Sequence, residues 1–480
     1  MNDNKTLQKA PKKTEKASAN IEFKSFIIVV ILLSFMLTLS GVLTYIIPNG
    51  RIVEGSYTVN EEQGGIAIWK VLTAPIRVFA SKDAVDIIMI SVFLLVMSGV
   101  FNLLEKTGGT KVVISRIIQR LADRGGPVVC LCVLIFMLFG SFFGMFEELV
   151  TLLPLIIMFM LSMGFDTMTG LGACLLAACF GFSAAITNPF SVGLAASIAG
   201  VGVSSGLWLR LIFFVIIYIT LCVFLMIHLK RIEQDPKRSI TYAIDIEKRE
   251  KLTGFDNARE RTPENDKVFK VFCYFFAAQG VVLIIIASVR AISGLAIPIL
   301  AVTFLFGGII AGLLVTEKKS DTFRHIAKGA VAMLPAVALI ALASSIKLVM
   351  DEGQIIDSIT YYVINILDGK SKFETILLVY LLILILQVFI GSSSAKITLV
   401  LPIVLPICRS MGISSEMVIL AYCMADGFTD VILPTNPVLL VGLSMANVSY
   451  TKWFKWTWKL QGIVLAITVA VLLFATHIGY

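Results

Sequence analysis

An all-α polytopic membrane fold of two inverted-topology repeats, each with one hairpin and one broken helix, and about nine spans in all, follows from three features of this 480-residue chain. The first is composition. Hydrophobic residues make up 58% and charged residues 15%, the mean hydropathy is +0.91, and many apolar runs approach bilayer-spanning length. The second is a recurrence: Thr187-Asn188-Pro189 returns as Thr435-Asn436-Pro437, and the same offset carries Ser162-Met163-Gly164 onto Ser410-Met411-Gly412, Pro154 onto Pro402 and Phe180 onto Phe428 without a gap. The third is the placement of Lys and Arg, which fixes a consistent orientation for every connection.

Residues 1–24 are polar and Lys-rich and read as a cytoplasmic tail; the apolar run after them lacks a small-residue cleavage site, so it is a retained span and not a signal peptide. Spans are expected at 25–47, 85–104, 207–229, 268–288, 296–315, 331–350 and 457–476, each near the ~20 residues that a bilayer core requires. Residues 111–124 place Val113, Ile117 and Leu121 on one face and Arg116, Arg120 and Arg124 on the other, as an interfacial helix would. Hairpins are expected at 127–163 and 373–411, in matching positions of repeats 25–230 and 268–480. The regions 169–200 and 416–447 are apolar but interrupted by the repeated tripeptide. Proline removes a backbone donor and pushes the residue before it off the helical region, so each should be two half-helices around an unwound centre.

Residues 231–267, rich in charge, form the linker between the halves. The Lys/Arg distribution makes the tail, 106–124, 230–267, 318–328 and 452–455 cytoplasmic, and walking the spans alternately satisfies each assignment. The span 296–315 has no apolar counterpart in the first half, where 51–63 is polar. That unpaired span turns a sequence repeat into an inverted one.

Several function classes recede. The net charge of +8 lies in the tail and connections, where it suits anionic headgroups better than nucleic acid. The eight cysteines sit mostly singly in apolar runs, and Cys130 and Cys132 lack the second pair that a zinc site needs. No nucleophile–base set, HExxH motif or Gly-rich phosphate loop is visible, and His228, His325 and His477 fall at membrane edges, so an enzyme is not expected. Gly308/Gly312 and Gly140/Gly144 match GxxxG and read as close helix packing.

The candidate chemistry lies at the interruptions. Unwound backbone at membrane depth can coordinate a solute or a cation, with sodium near Asn188 and Asn436, or each proline simply kinks a packed helix. Glu147 and Glu148 centre the first hairpin, in extracellular water if it crosses fully and near the midplane if it re-enters; at depth they need a cation or a proton. Ser392, Ser393, Ser394 and Lys396 centre the second with hydroxyls and an ammonium suited to a carboxylate, or form a short polar loop. Asp426 and Asp430, at i and i+4 on one helix face, carry protons, bind sodium, pair with Lys396 or make a structural salt bridge.

The stretches Gly144 to Glu148, Ala185 to Gly193, Gly391 to Lys396 and Asp426 to Thr429 leading into Pro434-Thr435 resemble the YfcC family of basic amino-acid antiporters, close to the DcuC-type C4-dicarboxylate carriers of the ion transporter superfamily. The layout is similar to that of the p-aminobenzoyl-glutamate transporters. The resemblance implies re-entrant hairpins, a homodimer and an elevator motion. It also implies a site built from Glu147, Glu148, Thr187, Asn188, Pro189, Ser392, Ser393, Ser394, Lys396, Asp426, Asp430, Thr435, Asn436 and Pro437. The three serines depart from the Gly-Ser-Gly tip of many relatives. The expected function is secondary transport, in a bacterial inner membrane, of a carboxylate-bearing solute such as an amino acid, by exchange of the arginine/ornithine type. The alternative is a proton- or sodium-coupled C4-dicarboxylate carrier. The implied partners are the solute, the lipid bilayer and a second copy, with no nucleic acid and no cofactor beyond a coupling proton or sodium.

Overall fold

In hydrocarbon every backbone N–H and C=O must be satisfied within the chain, and the apolar runs accordingly fold as helices. The computed structural model describes residues 13–53, 56–59, 64–109, 112, 125–252, 262–288, 296–365 and 369–480. Among the described residues nine helices are long and apolar enough to cross a membrane.

Helix α1 (Lys13–Ile46) encloses the first span and extends back into the residues read as tail. The polar region after it holds an antiparallel pair, β1 (Gly50–Val53) and β2 (Ser56–Val59), a small departure from an all-α chain. Alternating Val, Ile, Tyr and Thr favour the pleat there. Helix α2 (Ile68–Arg77) is amphipathic and was not foreseen; Ile68, Trp69, Leu72 and Ile76 on it are exposed apolar side chains. Helix α3 (Ala84–Lys106) is the second span, and the interfacial helix expected at 111–124 lies, except for Val112, outside the described residues.

The first hairpin pairs α4 (Gly125–Phe143) with α5 (Leu149–Ser162), and the helix broken after it comprises α6 (Thr167–Ser183) and α7 (Pro189–Ala199). Helix α8 (Leu207–Gln234) leads into the linker, where α9 (Tyr242–Leu252) lies. Then follow α10 (Pro263–Ser288), which encloses the expected span 268–288, α11 (Ala296–Val315), α12 (Lys319–Ala332) and α13 (Leu334–Glu352). Residues 318–328 are expected on the cytoplasmic side, with no element assigned to them. They lie largely on α12, which packs along α3. Helix α14 (Ile356–Asn365) precedes the second hairpin, α15 (Lys372–Phe389) and α16 (Ser393–Ser410). The second broken helix is α17 (Ser415–Ala425) and α18 (Pro437–Ala446), and α19 (Tyr450–His477) closes the chain.

Small residues let these helices approach. A Cβ on Gly308 would meet Val100 at 2.7 Å and one on Gly312 would meet Thr322 at 2.5 Å, so this GxxxG packs within the chain, as expected.

The two hairpins open toward opposite ends of the molecule. At one end, Arg249 of the linker donates to Gly164 O (2.9 Å) at the base of the first hairpin, and Lys248 Nζ to Ala446 O (2.6 Å). At the other, Arg409 at the base of the second hairpin donates to Ala199 O, Ser414 Oγ donates to Tyr480 O (2.6 Å), and Tyr480 OH donates to Gly206 O.

Candidate functional site

The first break is held by one residue of the first hairpin, through its backbone carbonyl and its hydroxyl. Ser141 O accepts the amides of Ile186, Thr187 and Asn188 at 3.1, 3.2 and 3.0 Å, while its hydroxyl donates to Ala184 O at 2.6 Å and accepts from Ile186 N at 3.0 Å. Thr187 Oγ1 donates to Phe142 O (3.1 Å). Asn188, fully buried, caps α7 by accepting from Phe190 N (2.9 Å), and Pro189 is the first residue of that helix, where a missing N–H does no harm. The amides expected to await a ligand are therefore already used by Ser141. Gly144, at φ +70°, turns the hairpin tip directly onto this break: a Cβ there would lie 2.2 Å from Asn188 Oδ1. Glu147 and Glu148 follow in the tip. Glu147 lines a small cavity with Ile90 and Phe93 of α3, Ile297 of α11, Val150, and Val438 and Val441 of α18, so it faces the start of the half-helix after Asn436.

The second break gathers the charges. Helix α17 stops at Ala425; Asp426 is extended and Gly427 takes φ +105°, a conformation that only glycine adopts freely. Asp430 then sits in a 3₁₀ turn (Phe428–Val431), which corrects the expectation that both aspartates share one helix face at i and i+4. Lys396 Nζ and Asp426 Oδ1 are 2.6 Å apart with side chains 0% and 1% exposed. Ser393 Oγ donates to the other Asp426 oxygen, and Tyr422 OH donates to Ser393 O (2.8 Å). Lys396 and Asp426 are thus an ion pair within the protein, as one of the readings of these residues expects. Asp430 accepts from Gln387 Nε2, with Lys396 and Asn436 beside it. Ser392 caps α16 by accepting from Ala395 N (3.4 Å), and Ser394 lies half-buried beside it. Asn436 caps α18 by accepting from Val438 N (2.8 Å), repeating the role of Asn188; Thr435 is half-buried before it and Pro437 opens the helix.

The two breaks meet. Ser183 Oγ donates to Asp426 O, Cys179 Sγ approaches Gly427 O at 2.9 Å, and the rings of Phe180 and Phe428 pack edge to face at 5.1 Å. Cys179 and Gly427 are 248 residues apart, the same offset that relates the two tripeptides, so each touches its own counterpart. Ser141, Ser183, Gln387 and Tyr422 were not singled out from the sequence; the hydroxyls and the amide standing alone in apolar helices were the available signal.

A second polar network lies at the linker end. Asp166 accepts from Thr169 N (2.8 Å), from Ser239 Oγ (2.6 Å) and lies 2.9 Å from His228 Nε2, whose other ring nitrogen faces Trp456 Nε1 at 3.2 Å. Burial alone would raise the Asp166 carboxyl, but the hydrogen bonds and charge of His228, with Ser239 and Thr169, outweigh it and hold the group down at about 2. A depressed carboxylate stabilises the fold above its unfolded value of 3.8, and that contribution is lost as pH falls toward 2. Asp166→Asn is expected to lower stability at pH 7 by about 2 kcal/mol, with the deficit vanishing near pH 2, as read by unfolding in mixed micelles across that range.

The chain resembles known proteins along most of its length. It is 27% identical over 417 residues to YfcC of Escherichia coli (strain K12), which bears the provisional name of a basic amino acid antiporter, covering 83% of this chain and 78% of that one. It is 27% identical over 393 residues to an uncharacterized protein of Haemophilus influenzae, covering 80% and 74%. Among solved structures, the YdaH transporter of Alcanivorax borkumensis aligns with TM-score 0.42 at 16% identity, over 98% of this chain and 99% of that one. MtrF of Neisseria gonorrhoeae, described with a class of antimetabolite efflux pumps, aligns with TM-score 0.39 at 16% identity, over 93% and 94%. The family described as the C4-dicarboxylate anaerobic carrier, DcuC, matches residues 23–477, and this multi-pass membrane protein belongs to that family of transporters.

Proposed function

We propose that the protein is a secondary active transporter of a small amino acid, exchanging basic amino acids of the arginine/ornithine kind across a bacterial inner membrane with its N-terminus in the cytoplasm. The observation that carries this reading is the charge at the second break: the one buried lysine among the described residues is matched by Asp426, and Asp430 adds a further acid. A site with that balance disfavours a dicarboxylate dianion and suits a solute that brings its own cation. Re-entrant hairpins in an inverted repeat are supported by tips that meet the breaks, by bases that open to opposite ends, and by residues that touch their own counterparts at the repeat offset. Those features favour an elevator motion, in which hairpins and broken helices move as one body. The name of the E. coli relative points the same way. The family's description favours the second reading, a C4-dicarboxylate carrier driven by protons or sodium.

Counterflow in proteoliposomes separates the two. With unlabelled arginine inside and labelled arginine outside, accumulation is expected and should fall at least tenfold in Glu147→Gln or Glu148→Gln. Succinate accumulation that survives both substitutions would sink the amino-acid reading and support the dicarboxylate one.

A further inference from the structure

A cation ties the base of each hairpin to the far end of the other repeat's broken helix, but the two cations come from different places. At the second hairpin the cation is the hairpin's own: Arg409 Nε and Nη2 donate to Ser415 Oγ at 3.0 and 2.8 Å, and Nη2 also donates to Ala199 O at the end of α7. The residue that matches Arg409 at the repeat offset is Leu161, buried and without a donor on its side chain. The linker supplies what Leu161 cannot. Lys248 Nζ donates to Thr167 Oγ1 at 3.2 Å, and Thr167 is the equivalent of Ser415, each being the first residue of its broken helix. It also donates to Ala446 O at 2.6 Å, at the end of α18 and one position short of the equivalent of Ala199.

The same exchange occurs a second time. Gly412 O, in the turn at the base of the second hairpin, accepts from Lys372 Nζ of that hairpin at 2.8 Å, whereas its equivalent Gly164 O accepts from Arg249 Nη2 of the linker at 2.9 Å; the position that matches Lys372 lies outside the described residues. Both glycines take a positive φ, +91° at Gly164 and +70° at Gly412. Arg249 also donates to Phe165 O (2.6 Å), Asp245 accepts from Thr167 N (3.2 Å) and Ser239 Oγ donates to Asp166 (2.6 Å), so the linker from 239 to 249 is docked along residues 164–167. Charge-assisted bonds are roughly twice as strong as neutral ones, so these cations govern how firmly each base is held.

We propose that Lys248 and Arg249 are positioning residues for transport: α9 is a clasp that holds the base of the first hairpin against α18, and its release frees that hairpin at the linker face alone. The proposal rests on the transport function given above. The second hairpin has no such release, because Arg409 belongs to the hairpin that it fastens. A shifted base moves the tip as well, and the tip carries Ser141, whose carbonyl holds the amides of residues 186–188 at the first break.

The test uses the full-length protein in proteoliposomes of one orientation, with counterflow of labelled arginine or succinate, whichever the wild type moves, started from each face in turn. In the double variant Lys248→Met, Arg249→Met the KM at the linker face is expected to rise about tenfold with the maximal rate kept, while the KM at the opposite face stays as in the wild type. Adding Leu161→Arg gives the first hairpin the cation that the second carries at Arg409, and should bring the KM back. No change, an equal rise at both faces, or a rise that Leu161→Arg leaves in place assigns α9 to the fold and overturns the clasp. A second measurement needs no transport: labelling of Ser162→Cys at the hairpin base by a membrane-impermeant maleimide, above the background of the native cysteines, should be about tenfold faster in the double variant and slow again with Leu161→Arg. Should the double variant fail to fold, Lys248→Met alone carries both measurements. If neither solute exchanges but labelling changes as stated, the transport reading falls and the clasp stands; labelling at one rate in every protein overturns the clasp whatever counterflow shows.

Discussion

Asp426→Asn is expected to destabilise the protein by about 3–5 kcal/mol and to abolish transport, because it leaves the Lys396 ammonium buried with no counter-charge. The pair is 2.6 Å apart with side chains almost completely excluded from solvent, so Coulomb attraction is little screened there. Lys396 sits in the first turn of α16 and Asp426 in the break after α17, so the bond fastens the second hairpin's tip to its broken helix. The double variant Lys396→Met, Asp426→Asn removes both charges and should regain most of the lost stability, since matched removal of a buried pair is often close to neutral. It should not regain transport, because Ser393 and Asp430 would still have lost the ion pair they neighbour. Unfolding midpoints in mixed micelles and counterflow on the same preparations read both effects. An Asp426→Asn protein within about 0.5 kcal/mol of the wild type would show that the pair does not hold the tip.

What the sequence made legible is what hydrophobic pattern and repetition encode. Helices of spanning length, the two hairpins, and breaks at Thr187-Asn188-Pro189 and Thr435-Asn436-Pro437 stand where apolar runs and prolines put them. The repeat offset also marks Phe180 and Phe428, although nothing in the chain says that they touch. The unread parts depend on contacts between distant segments. Ser141 is one serine in an apolar run, and its capture of three amides at residues 186–188 exists only once the hairpin folds back. Whether Lys396 meets a solute or Asp426 is likewise a matter of tertiary distance. Asp426 and Asp430 were misplaced on a helix because the spacing suits one, whereas Gly427 in a positive-φ conformation ends the helix between them. The helix Lys319–Ala332 escaped notice because its charged residues mask the Gly329 face that packs on α3.

The groups around Asp430 are those at which a coupling ion would be tested first. Its carboxylate accepts from Gln387 Nε2, and Gln387 Oε1 and the neighbouring Thr429 Oγ1 are both buried without hydrogen-bond partners. Buried oxygens beside a carboxylate are acceptors for a hard cation or a proton, and leaving them empty carries a desolvation penalty. If an ion binds there, Asp430→Asn is expected to uncouple solute movement from it. A single charge crossing a potential of 100 mV is worth about 2.3 kcal/mol, enough for roughly 50-fold accumulation of a solute that moves with it. In proteoliposomes with imposed sodium or proton gradients, concentration of solute by the wild type under one of the two would name the ion and favour the ion-coupled reading over pure exchange. Asp430→Asn should bring the accumulation ratio to about one while exchange of labelled for unlabelled solute continues, because the ion pair of Lys396 and Asp426 stays in place. If Asp430→Asn accumulates solute as the wild type does, the ion does not bind at Asp430. If neither gradient drives the wild type while exchange is intact, the protein is an obligate exchanger, and the polar cluster at Asp430 serves the fold of the second break instead of an ion.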